Sequence, residues 1–266
     1  MSTSLTPSAP TSRSEIDSGA GASPRQPARM AGALYLVNIL LGAFAIGIVP
    51  AMLIESDPAT TLHNIQTHEL LYRSSLAAHV VVTLTNIPLA VIFYELFKVV
   101  NRRLALLDAF FILVATAIEA AGLVTQFTPL VLLGSDHYAN ALPAAQLQAL
   151  AYLPLDLSSI DYSVHTVFFG FDILLMAYLV LRSTILPRAI GYLLAIDGVA
   201  YLVYGFADFL SPGFAAQLVP WIQLPALLGE GALCLWLLVV GVNVERWKTV
   251  ASEALRMQST QLEALG

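Results

Sequence analysis

Glu119, Asp172, Asp197 and Glu230 each fall near the middle of a long apolar run. An ionisable side chain there is costly in its charged form and marks an ion path, a relay or a ligand site by default. Asn38 and Asn86 lie at similar depth in two earlier runs. Residues four, seven and eleven apart share a helix face. His79, Thr83 and Asn86 therefore make one stripe, Glu119 aligns with Gln126, and His165 aligns with Asp172. Asp197, Tyr201, Tyr204 and Asp208 make another stripe, and Gln223 aligns with Glu230. No Lys or Arg lies at this depth. Four carboxylates gathered in low dielectric cannot all stay ionised. The chemistry implied is proton carriage, or a cation or amine held among carboxyls.

The elements that carry these residues are long apolar segments. The runs cover about 30–54, 75–99, 104–133, 163–181, 186–210 and 218–242. Each reaches or approaches the roughly 20 residues that cross about 30 Å of hydrocarbon. Only 11% of the chain is charged and its mean hydropathy is +0.76, against about a quarter charged in a soluble domain. The fold expected is all-α: a polytopic bundle of six spans within residues 29–248, in contact with lipid. Residues 1–28, rich in Ser, Pro, Gly and Ala, read as a disordered tail. Residues 249–266 read as a C-terminal tail.

Charge assigns the sides. Arg13, Arg25, Arg29, Lys98, Arg102, Arg103, Arg182, Arg188, Arg246, Lys248 and Arg256 all fall on one side of a six-span chain, and Arg73 alone falls on the other. The positive-inside rule then places both termini in the cytoplasm, with the spans in the plasma membrane. The outer loops carry Glu55, Asp57, Glu69, Asp136, Asp156, Asp161 and Asp208. Every polar stripe runs from the midplane toward that acidic side. The cavity expected is polar, closed near the midplane and open outward, with Glu119, Asp172, Asp197, Glu230, Asn38, Asn86, Tyr201 and Gln126 as its binding residues.

Several local features refine this picture. Ala144, Leu147, Ala151 and Pro154 recur at helical spacing, which predicts a short amphipathic helix on the outer interface between spans 3 and 4. Pro88 and Pro129 are expected to kink their spans, and the kink at Pro88 would free a carbonyl for the cavity. Ala43 and Gly47 form a small-xxx-small pair suited to close helix approach. Glu95 and Asp108, near the cytoplasmic ends, are read as structural, neutralised by snorkelling or by Lys98, Arg102 and Arg103. Trp221 and Trp247 are roughly 39 Å apart along a helix, one per headgroup region.

Three functions fit these residues. The first is binding or transport of a cation, proton or small amine-like solute from the outer side. The second is a membrane-embedded, divalent-metal-dependent hydrolase of lipid-like substrates, with His79, His165, Asp172 and Asp197 as ligands and Glu119 or Glu230 as general acid or base. The third is a non-catalytic scaffold whose polar residues only hold helices together. The chain has no P-loop, dinucleotide fingerprint, G-x-S-x-G or H-E-x-x-H motif. The lone Cys234 excludes an intramolecular disulfide and a thiolate cluster. A net charge of −6 disfavours nucleic acid.

The order of short motifs is similar to a family of multi-pass bacterial membrane proteins catalogued as a domain of unknown function. The motifs are Ala28-Arg29-Met30-Ala31-Gly32, Leu71-Tyr72-Arg73 and Val100-Asn101-Arg102-Arg103-Leu104-Ala105. They continue with Arg182, Leu186-Pro187-Arg188, and Leu224-Pro225-Ala226-Leu227-Leu228-Gly229-Glu230 through Trp236 to Gly241-Val242-Asn243. The resemblance covers about residues 28–243 and implies a multi-pass fold. It implies no activity.

Overall fold

The computed structural model describes residues 23–263, and every regular element among them is helical. The elements are α1 (Arg25–Gly42), α2 (Val49–Leu53), α3 (Pro58–Thr67), α4 (Glu69–Thr125), α5 (Thr128–Leu133) and α6 (Asp136–Ala141). They continue with α7 (Ala144–Ser183), α8 (Arg188–Leu210), α9 (Pro212–Leu218), α10 (Leu224–Val239) and α11 (Val244–Glu263). Five helical stretches are long and apolar enough to cross a membrane. Helices suit that setting because their backbone groups are satisfied within the segment.

The second stretch, Glu69–Leu133, has 65 residues, and it is two antiparallel arms. Asn101 leaves helical geometry, with φ −157° and ψ 103°. Its Oδ1 accepts from the backbone N–H of Arg103 and of Leu104, both at 3.1 Å. That is the N-cap of the second arm. Two side-chain contacts require the reversal. His79 Nε2 lies 2.9 Å from Glu119 Oε1, although 40 residues of straight helix would span roughly 60 Å. Tyr72 Oη donates to the carbonyl of Gln126 at 2.8 Å.

α1 runs through a π-helical turn, Ala43–Ile48, into α2. Pro50 stands just beyond that turn. Its ring cannot accept the normal spacing to the carbonyl four residues back, and a π-bulge absorbs such a misfit. After Ile54 turns extended, Asp57 caps α3: its Oδ2 accepts from Thr60 Oγ1 at 2.6 Å and from Thr60 N at 2.8 Å. The Thr60 hydroxyl, then the Thr60 amide, hold the Asp57 carboxyl below its usual value.

Two apolar clusters fill the bundle. One joins Phe93, Leu96, Phe97, Leu179, Val180, Ile185, Leu186 and Leu237. The other joins Val49, Leu53, Ile65, Tyr72, Leu76, Leu123 and Leu155. The first lies at a basic end, where Arg29 Nη2 donates to the Val239 carbonyl at 2.9 Å and Arg246 Nε donates to Thr184 Oγ1 at 2.8 Å. Trp247 Nε1 also donates there, to the Leu96 carbonyl at 3.0 Å. The second lies at the opposite, acidic end, where Ser163 donates to Asp208 at 2.6 Å.

Several sequence expectations change. Residues 144–154 form no separate interfacial helix: they are the opening turns of the 40-residue α7. Leu147, Ala151 and Pro154 are buried as the spacing required. The apolar stripe was real, but nothing in the sequence ends the helix after it, and Pro154 is carried within it. Pro129 kinks no span interior, because the preceding arm stops at Thr125 and Pro129 sits in the first turn of α5, where a missing N–H costs nothing. Residues 25–28 belong to α1, and the rest of the tail assigned to 1–28 falls on residues 1–22, outside the described residues, apart from Ser23 and Pro24. The C-terminal segment from 249 to 263 is helical.

Candidate functional site

Two adjoining chambers lie between the helices. The outer one holds about 310 Å³ at the acidic end. The inner one holds about 350 Å³ and reaches mid-bundle. Ile46, Glu119, Tyr162, His165 and Gln223 line both and form the collar between them. The apolar cluster of Phe97, Leu179, Val180 and Leu237 fills the bundle on the far side of the inner chamber.

Three of the four midplane acids line the same chamber. Glu119, Asp172 and Glu230 line the inner chamber with Asn38, Asn86 and Tyr201. Gln126 lines the outer chamber, as do His79 and Tyr204. Among the described residues, no Lys or Arg lines either chamber. The walls come from α1, both arms of α4, α7, α8 and α10.

Asp197 departs from expectation. It is buried and lines neither chamber. Both its carboxyl oxygens lack a hydrogen-bond partner among the described residues. Asp197 and Tyr201 do share a stripe, but side-chain length separates them. The short Asp197 stops against α10 at Gly229, where an added Cβ would lie 3.4 Å from its own. The longer Tyr201, one turn on, reaches Glu230.

Glu230 is held from two helices. Tyr201 Oη donates to Oε1 at 2.7 Å and Tyr35 Oη donates to Oε2 at 2.6 Å. Tyr35 is missing from the expected set; its three-residue spacing from Asn38, which puts both on one helix face, was the available signal. Asn38 ties α1 to α4 through the Val82 carbonyl at 3.3 Å, Thr85 Oγ1 at 3.0 Å and Asn86 Oδ1 at 2.8 Å. The carbonyl that Pro88 leaves without its helical donor is that of Leu84, an exposed residue that lines neither chamber. Thr83 bonds back to the Val80 carbonyl at 2.8 Å.

Glu119 occupies the collar. His79 holds its Oε1, and its Oε2 has no partner. His79→Leu would strip the carboxyl of its remaining bond. A polar group so orphaned costs about 1–3 kcal/mol, which a loss of thermal stability in detergent would register. The double variant His79→Leu/Glu119→Leu should recover most of it, because both partners are then apolar.

The proposed metal set does not assemble. His165 Nδ1 lies 3.0 Å from the Ala115 carbonyl, and its ring stacks between Tyr162 and Phe169. His79 faces Glu119, and Asp197 stands off the wall. Among the described residues no three His, Cys, Asp or Glu side chains are grouped to hold a metal ion. Asp108 was read as neutralised by nearby bases, yet it is buried with no ion-pair partner among the described residues. Glu95, read the same way, does pair with Lys98.

Residues 30–241 match the family model described as a domain of unknown function, DUF4386. No curated protein and no solved structure matches the chain. The motif order that suggested an uncharacterised multi-pass family thus has its counterpart in a model covering most of the sequence, and the chain belongs to the DUF4386 family.

Proposed function

We propose that this chain is an integral membrane protein that crosses the bilayer six times, with both termini cytoplasmic, and that it binds or transports a small cation or protonated amine from the outer side. Six crossings follow if the two arms of α4 each span. The basic end, carrying Arg29, Lys98, Arg182 and Arg246, then faces the cytoplasm of the plasma membrane. The two chambers open toward the outside.

The observation that carries the reading is the convergence of Glu119, Asp172 and Glu230 on one cavity that no Lys or Arg lines. Carboxyls so placed favour a positive occupant, since low-dielectric walls strengthen attraction and focus the field. A scaffold would have no need of such space, and its acids would each find a neutral partner. Glu119 Oε2 and both Asp197 oxygens have none.

Thiol labelling tests both sidedness and charge. Cys234 is buried and is the chain's only cysteine. In a Cys234→Ala background, Ser159→Cys places an exposed thiol on the outer chamber. A cationic, membrane-impermeant thiol reagent should modify it from the outside only. It should react about 10-fold or more faster than an anionic reagent of similar size, and salt should narrow the gap. Equal rates, or labelling from the cytoplasmic side alone, would count against the proposal.

A further inference from the structure

Asp108 lies in the second arm of α4, seven residues past the turn at Asn101, which is roughly 10 Å of helix rise. It is 2% exposed. Arg102 and Arg103, the expected counter-charges, are exposed and do not pair with it. Its carboxyl instead lies beside that of Asp172 on α7, close enough for the two to interact directly. Two ionised carboxylates side by side in low dielectric repel, and with no ion-pair partner for either among the described residues the pair holds one proton between them. Oδ1 of each is buried without a hydrogen-bond partner among the described residues. Asp172, 1% exposed, also stands on the wall of the inner chamber. The pair therefore has one member on the cavity and the other on the arm that leads back to the turn at Asn101.

The other titratable groups around the pair are Glu230 on α10, Asp197 on α8, Tyr35 on α1, and Glu119 with His165 on the chamber wall. None of them is a fixed cation. Nothing nearby is a fixed counter-charge for a second ionised aspartate. A proton shared by the two carboxyls fills that role.

We propose that Asp108 and Asp172 form a proton-binding site joining the closed end of the cavity to the cytoplasmic side, and that a cation reaching Asp172 displaces the shared proton toward Asp108 and the Asn101 turn. The exchange balances in charge. The pair with one proton carries a single negative charge, and so does the doubly ionised pair holding a monovalent cation. This deepens the cation-binding reading and rests on it. It adds that binding is coupled to proton release.

The test uses the full chain in lipid nanodiscs and infrared difference spectroscopy at neutral pH, with methylammonium as the probe cation. The expected result is the carbonyl stretch of a protonated carboxylic acid. Labelling aspartate carboxyls with ¹³C should shift the band, which identifies it without any substitution. In an Asp197→Asn background, which clears the other buried aspartate and should keep the band, Asp108→Asn and Asp172→Asn should each remove it. Methylammonium should bleach it and release about one proton per cation, read with a pH indicator in weak buffer. A wild-type protein with no aspartyl band, or a band that survives Asp108→Asn in that background, would overturn the proton site. Cation binding without proton release would overturn the exchange and leave the cation reading standing. A normal aspartyl band with no cation binding would overturn the cation reading and keep the proton site.

Discussion

Glu230→Gln is expected to weaken methylammonium binding by about 30-fold or more, since removing one partner of a buried charge pair costs about 2–5 kcal/mol. Gln keeps the size of the side chain and one acceptor oxygen, so the bond from one tyrosine survives. The other tyrosine then meets an amide N–H₂ where it met a carboxylate oxygen. What the substitution removes is the charge. Glu119→Gln added to it should abolish binding at any practical concentration, leaving Asp172 as the remaining carboxyl on the inner wall. Glu230→Asp keeps the charge but shortens the reach to Tyr35 and Tyr201, so its effect should fall between wild type and Gln. Equilibrium dialysis with labelled methylammonium reads all three. Equal affinity in the Gln variant and wild type would mean that charge does not select the occupant.

Gly32→Leu is expected to destabilise the bundle by roughly 3 kcal/mol or more, at or beyond the upper end for overpacking. A Cβ at Gly32 would lie 2.4 Å from the backbone nitrogen of Leu238. Backbone cannot step aside as a side-chain tip can, so α1 and α10 would have to separate. That contact also carries Cys234 Sγ to the Gly32 carbonyl at 3.5 Å. Gly231→Ala is the control, because an added Cβ there meets nothing within 4 Å. Thermal unfolding in detergent should show a large fall in Tm for the first and little change for the second. Loss of the α1–α10 interface should also disturb the cavity, since Tyr35 of α1 holds Glu230 of α10.

Gly32 also shows where sequence reading reaches its limit. A small-xxx-small pair is legible in a helix, but its partner face is not. Ala43 and Gly47 fit the pattern, yet they fall in or beside the π-turn, and Gly47 has no heavy atom near its missing side chain. Ala28 and Gly32 fit it equally and are the pair that packs. The turn at Asn101 was visible as a polar, basic break between two runs, because a capping residue acts locally. The polar stripes were visible for the same reason, being periodic within single helices. Convergence of Glu119, Asp172 and Glu230 needs the order of helices around the bundle, which no single-helix period contains. Asp197 fell out because its stripe gave direction without reach. Asp108 was misread because proximity in sequence to Arg102 and Arg103 suggested neutralisation, while the helix turns its side chain inward to Asp172 and theirs outward.

The most direct test of the proposed function is methylammonium binding measured separately on right-side-out and inside-out sealed vesicles containing the full chain. The account predicts saturable binding from the outer face, none of comparable affinity from the cytoplasmic face, and loss of the outer signal when Glu119, Asp172 and Glu230 are all changed to their amides. Saturable binding confined to the cytoplasmic face, or outer binding unchanged in that triple variant, would contradict it.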